Sequence, residues 1–503
     1  MDTLSQRPRE DLAKDWHPAD AACDGQQNES VSMAPSKSPS PTPAVATEGL
    51  RKDKALIALA DRGGNVAQFV SFVPTPQGSL DVAYSRVAGF AADYPFPDVA
   101  TALRVLLERS PARSINLRSY TPDSPRSRTF LYGLTDADAA LEAAEGLAGE
   151  GLYVIANETI DIHDGGVSGV VLSDMIEFAP DDTPRCVEKP GVASLPLAWG
   201  RSLLQTVYGF APALDAGAGR LEFSIHPERR GWRQDHTLVW EYEDDHTSAA
   251  KPSLHWPNRF SRLIGDKAFG LLVAHEAGLL VPWTTVIGRR VPPFSFGTRT
   301  GETEVWIRTC PTEPEPGRYS TFKGWRDPYR LLAEEDPNGD RIMSVLRQDA
   351  VPARYSGAAI VGGDGTLVVE GLAGEGDRLM LGEQLPEMLP QTVRDAVTTA
   401  YAQAERLLGP VRFEWVYDGV RLWIVQLHVG ATVSLPDALV PGEAQNWMEL
   451  DAQTPLHELR QHLASLPPNT GLRLLGVVNA TSHIADLLRK AGVPTQIVKR
   501  QPA

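Results

Sequence analysis

The chain has 503 residues, 42% of them hydrophobic and 22% charged, a length and balance that fit about two or three domains with cores of their own. Its 48 lysines and arginines against 64 acids leave a net charge of −16, which excludes a general nucleic-acid or anionic-membrane binder working through a broad positive field. Three scattered cysteines, Cys23, Cys186 and Cys310, exclude a disulfide framework or a cysteine-rich zinc site, and a reducing cytoplasm is the expected setting.

Residues 1–48 carry a Pro/Ser/Thr tract that cannot bury enough apolar surface to offset the entropy of ordering, and they are expected to form a disordered leader. The N-terminus has no apolar signal core. The best apolar stretch, Ala268 to Val286, is interrupted by His275 and Glu276, so no membrane segment is expected. Patterned sequence begins near Leu50, and a polar, proline-bearing seam at 246–257 divides it. The expected units are therefore 49–245, 258–432 and a tail at 445–503.

The two larger units read alike. INLRSYTPDSPRSRTF from Ile115 parallels VWIRTCPTEPEPGRYSTF from Val305, which sets Arg118 against Arg308. Ser168-Gly169 lies opposite Ser356-Gly357, Glu177 opposite Glu370, Glu222 opposite Glu414, and Glu241 opposite Gln426. Arg118 to Glu177 spans 59 positions and Arg308 to Glu370 spans 62; the next intervals, to Glu222 and Glu414, are 45 and 44. Composition alone does not produce ordered matches at such even separations, so a tandem duplication is inferred. Lys54 pairs with Lys267 less evenly, since the intervals to the arginines are 64 and 41.

In the second unit VRFEWVYDGVRLWIVQLH (Val411–His428) reads as two strands around an Asp418-Gly419 turn. Glu414 and Gln426 sit on opposite arms, where they can offer oxygens to one hard cation such as Mg2+. An ordinary hairpin with a wet polar face is the other reading of the same residues. In the first unit the matching pair is Glu222 and Glu241, 19 positions apart rather than 12.

An acidic residue in an apolar strand, a tight Gly-bearing turn and an apolar strand ending in Gln resemble the nucleotide-binding domain of phosphoenolpyruvate synthase and pyruvate phosphate dikinase, part of the ATP-grasp superfamily. The resemblance implies an α+β fold of two tandem ATP-grasp-like domains with a small α/β C-terminal unit, and ATP and Mg2+ as cofactors. It implies that Glu414 and Gln426 hold the metal and that Lys267, in GDKAFGLL, and Arg308 contact phosphate. Gly317 falls in the loop over the phosphates, Gln348 beside adenine, and Glu370 in the glycine-rich segment that follows. The family's Arg two residues after the Gln is His428 here. In the first unit Lys54, Arg118, Glu158 and Glu177 take the corresponding nucleotide positions and Glu222 and Glu241 the metal positions. That unit is either a second active site or a degenerate copy.

The tail holds GVVNATSHIADLLRKAGVPTQIV, a strand, a Thr-Ser helix cap with His483 in the first turn, and a return to a strand. It resembles the phosphohistidine segment of the same dikinases, with Asn479-Ala480 in place of paired glycines. The expected function is Mg-ATP-dependent phosphoryl transfer through His483 or directly to an unidentified small-molecule or macromolecular acceptor. Pyruvate is not expected as that acceptor unless another chain supplies the family's barrel domain. An ATP-grasp ligase forming an acyl phosphate and a non-catalytic ATP sensor are the alternatives, and a homodimer or partner protein is compatible with either.

Overall fold

Alternating and continuous apolar runs give the chain its strands. In the first half these are β1 (Phe69–Pro74), β2 (Leu80–Arg86), β3 (Ile115–Tyr120), β4 (Phe130–Leu134), β5 (Tyr153–Glu158), β6 (Val167–Leu172), β7 (Met175–Ala179), β8 (Ala193–Pro196), β9 (Arg220–Arg230) and β10 (Asp235–Glu243). The second half has β11 (Thr284–Gly288), β12 (Phe294–Phe296), β13 (Val305–Pro311), β14 (Thr321–Lys323), β15 (Ile342–Asp349), β16 (Tyr355–Val361), β17 (Leu367–Ala373), β18 (Val411–Tyr417) and β19 (Leu422–Val429). The tail adds β20 (Ala438–Val440), β21 (Asn446–Asp451), β22 (Thr470–Leu475) and β23 (Thr495–Val498). This computed structural model describes residues 51–498 except 123–126, 184–189, 216–218, 245–250, 313–318, 433 and 435–437. The expected leader, residues 246–250 of the expected seam and Gly317 lie outside the described residues.

The architecture is mixed α/β with antiparallel sheets in both halves. The first sheet runs β2-β1-β5-β3-β4, and its counterpart runs β12-β11-β15-β13-β14, the same order once β11 is read as β1. The next sheets run β10-β9-β6-β7-β8 and β19-β18-β16-β17 and agree likewise, with β8 having no counterpart among the described residues.

Register agrees residue by residue. Glu222 faces Glu241 on one side and Val170 on the other, and Val170 faces Glu177. Glu414 faces Gln426 and Ala358, and Ala358 faces Glu370. Each hairpin also skips one residue at the same step, Trp240 in β10 and Val425 in β19. A bulge of this kind bends the strand and resets which face its side chains occupy.

The β18–β19 turn differs from the expected one. Asp418 N–H donates to Arg421 O, so Gly419 and Val420 form the tip, and the Asp418 carboxylate accepts from the Val420 and Arg421 amides. Gly419 has φ 104, a value that glycine adopts without a Cβ clash, and this moves the turn one residue along from Asp418-Gly419.

One apolar core runs through both halves, joining Phe178, Phe223, Phe260, Phe269 and Trp415. The apolar stretch from Ala268 becomes a helix, Asp266–Glu276, buried on nearly all sides. Gly270 lets that helix sit directly on β19, since a Cβ there would lie 2.1 Å from the Leu427 carbonyl oxygen. The close approach brings Lys267, one turn earlier, beside the strand that carries Gln426. No helix among the described residues is long and apolar enough to cross a membrane.

In the tail β21, β22 and β23 are parallel and β20 is antiparallel at the edge, with helices Leu456–Ala464 and His483–Ala491 as crossovers. Leu459, Leu472, Leu474 and Leu488 form its core.

Candidate functional site

Strand alternation builds the second-half cleft. In β18 Val411, Phe413 and Trp415 go to the core, which turns Arg412 and Glu414 to the other face, and the bulge in β19 puts Gln426 and His428 opposite them. The cleft encloses about 430 Å3 and is lined by Lys267, Arg308, Glu414, Gln426, His428 and His483 among others. That volume lies in the usual range for a small-molecule site. A narrower slot continues from it between Trp306, Gln348, Val351, Ala353 and Met380, where the chain crosses from one sheet to the next.

The polar groups of the cleft are set in one direction. Gln426 Nε2 lies 2.9 Å from His428 Nε2. An amide nitrogen only donates, so the imidazole accepts at Nε2 and the Gln426 carbonyl oxygen is the atom left for a cation. Among the described residues Glu414 has no ion pair. Arg308 donates from Nη1 to Val425 O at 3.1 Å, while its buried Nε has no partner among the described residues. Lys267 Nζ donates to Thr309 O at 3.3 Å, and burial holds its ammonium pKa below the ordinary lysine value.

Burial pushes the His428 pKa down to about 3, with Arg412 and Lys267 adding to the effect. The native ring therefore refuses a proton that the unfolded chain takes up below pH about 6.5, and acid favours unfolding. The cost is absent above that pH and reaches at most ~2 kcal/mol by pH 5. Urea titrations of the wild type and His428→Asn should show a shallower acid loss in the variant. Parallel pH profiles would contradict the assignment of a neutral ring.

Of the residues expected at the nucleotide, Glu370 is engaged with the tail and Gln348 lines the slot. The Glu370 carboxylate accepts from Ala480 N at 3.0 Å, Thr481 N at 2.9 Å and Thr481 Oγ1 at 2.6 Å, and so holds the tail loop ahead of His483. Asn479 donates to Leu379 O and Gln384 O across the same contact. Gln348 lines the slot and donates from Nε2 to Thr284 Oγ1.

The first half has its own cleft of about 520 Å3, lined by Arg118, Glu158, Glu222, Trp240 and Glu241 among others. Its Glu222 is met by Arg220 Nη1 at 2.6 Å. Glu158 is fully buried and accepts from Gln68 N, Gln68 Nε2 and Gly231 N, which fixes the chain at the sheet-to-sheet crossing. Burial raises its pKa against those hydrogen bonds. Lys54 is exposed at the start of helix Lys52–Asp61, and it is Lys52 that reaches Ser127 at the cleft. Glu177 stands on β7 opposite Val170 and Ser194, in the same cross-strand row as Glu222, and is not among the residues that line the cleft. His226 bonds Asp164 and Ser224, a structural role.

Sequence reasoning missed Arg412 and Asp486, which meet across the tail contact at 2.6 Å. A signal existed for the first, because Arg stands two residues before the glutamate in both halves, at Arg220 and at Arg412.

No family model matches the chain, and no curated protein matches it. Solved structures similar to parts of it include a D-alanine-D-alanine ligase from Helicobacter pylori, 9% identical, covering 34% of this chain and 52% of the ligase at a TM-score of 0.23. The chain spans about half the length of that ligase. A D-cycloserine synthetase is 17% identical over 39% of this chain and 62% of its own, with a TM-score of 0.23. A RimK domain ATP-grasp protein from Sphaerobacter thermophilus is 14% identical over 45% and 67%, with a TM-score of 0.21. Overlaps this partial leave the weight on the strand order and register of the chain itself.

Proposed function

We propose that the second half is an ATP-grasp-type clamp for Mg-ATP and that the chain is an ATP-dependent enzyme activating an acceptor by phosphoryl transfer. The observation that carries this reading is the direct cross-strand pairing of Glu414 with Gln426 inside a cleft that also holds Lys267 and Arg308. A carboxylate and an amide oxygen suit Mg2+, which takes one or two protein oxygens and shares the rest with phosphate and water. Bound there, the ion would neutralise phosphate charge. Lys267 and the unpartnered Nε edge of Arg308 would orient the phosphates, and the slot beside Gln348 would take the base.

The matching strand orders and registers support reading 49–245 and 258–432 as copies of one unit, with 445–503 as a separate tail. In the first copy Arg220 already neutralises Glu222, which favours a diverged half without a metal.

Two acceptors fit. His483 lines the same cavity as Lys267 and Glu414, which favours an imidazole nitrogen taking the phosphoryl group as the bond to the nucleotide breaks. The similar structures named as ligases correspond to the other reading, an external carboxylate converted to an acyl phosphate and then to an amide. Labelled ATP separates them. Acid-labile label on the protein that vanishes in His483→Ala marks the histidine route. Turnover only with an added carboxylate and amine marks ligation. Tight binding without either would sink the enzymatic reading and leave a sensor.

A further inference from the structure

We infer that Asp486, a residue of the tail, sets the cation affinity of the second-half cleft by holding Arg412 away from Glu414. This rests on the Mg-ATP reading of that cleft and adds a control to it.

The two halves supply the comparison. Arg220 faces Glu243 and Glu222 faces Glu241, while Arg412 faces His428 and Glu414 faces Gln426, with the strand irregularity at the same step. Arg220 and Arg412 are thus equivalent, each two residues before its glutamate and on the same face. In the first half the arginine does what that spacing favours and binds its own-strand glutamate at 2.6 Å, with side chains only 13% and 5% exposed. In the second half Arg412 Nη1 instead lies 2.6 Å from Asp486 Oδ1, and Glu414 is left open to the cavity.

Asp486 can do this because the tail is fixed. It sits on helix His483–Ala491, whose approach loop is held by Glu370, and it also accepts from Arg489 Nη1 at 3.1 Å. Arg489 is anchored in turn by Ser434 Oγ and Ala480 O. A guanidinium on Glu414 would compete with a divalent cation for the same oxygens, and in a half-buried cleft that competition is strong. Docking of the tail therefore opens the cation site, and its departure would let Arg412 fall back on Glu414 as Arg220 does on Glu222.

The test uses the full chain, ATP, and Mn2+ as a spin probe for the cation. Asp486→Asn should weaken Mn2+ binding by ~10–100-fold, the range seen when a group that orients a metal ligand is lost. Adding Arg412→Met to Asp486→Asn should restore affinity to near the wild-type value, an outcome that simple damage to the tail would not give. Wild-type affinity in Asp486→Asn, or no recovery in the double variant, overturns the inference. A wild-type chain that binds no Mn2+ with ATP overturns the Mg-ATP reading itself.

Discussion

Glu414→Ala should abolish metal-dependent nucleotide binding, with an expected loss of ~100-fold or more in affinity for Mn2+ in the presence of ATP. The carboxylate is the only anionic member of the cross-strand pair, and Gln426 alone offers a neutral oxygen oriented by His428. Gln426→Ala should lose less, ~10-fold, because a water can replace a neutral oxygen but not a charge. Stability should hardly change, since Glu414 has no ion pair among the described residues. The matching change in the first half acts on the fold instead. Glu222→Ala removes one side of the mostly buried pair with Arg220 and should cost about 3 kcal/mol, read as a lower urea midpoint. Calorimetric titration with Mn2+ alongside urea melts checks both. If Glu414→Ala binds Mn2+ with ATP as tightly as the wild type, the proposed metal pair is wrong.

The second large effect concerns the tail. Glu370→Ala should release the segment ahead of His483, because three donors converge on that one carboxylate and two of them are backbone amides. Hydrogen bonds to an ionised group contribute about 1.5–3 kcal/mol each and add imperfectly, so about 3 kcal/mol of docking is at stake. Amide exchange in helix His483–Ala491 should speed up by ~100-fold, since each 1.4 kcal/mol is a factor of ten, while strands of the first half keep their protection. Glu370→Gln keeps an acceptor oxygen but turns an NH2 toward a donor, and it should fall between. Unchanged exchange in Glu370→Ala would show that Asn479 and Arg412 suffice to hold the tail.

These two residues also mark how far sequence reading reached. Glu414 and Gln426 were legible as residues on opposite arms of one hairpin, a local property, but their direct pairing depends on the bulge at Val425, which turn and alternation alone do not give. The matching order and spacing of motifs in the two halves is a property of the sequence itself, readable whatever packs around them. Glu370 was placed correctly against Glu177 in register, yet its partners lie 110 and 111 positions away, and nothing near it in the chain announces them. Lys54 and Lys267 look alike as helix-start lysines; only packing of the second helix on β19, permitted by Gly270, carries Lys267 to the cleft and leaves Lys54 exposed.

By itself, then, the sequence determined the two strands of the 411–428 hairpin and the placing of Glu414 and Gln426 on its opposite arms, because backbone periodicity and turn chemistry act over a few residues. Tertiary structure alone decided which charges meet across the chain: Arg412 on Asp486, Glu370 on the tail. Ion pairing and burial depend on distances between segments far apart in the chain, and a carboxylate carries no local mark of whether a guanidinium, a backbone amide or a metal ion will be the group that reaches it.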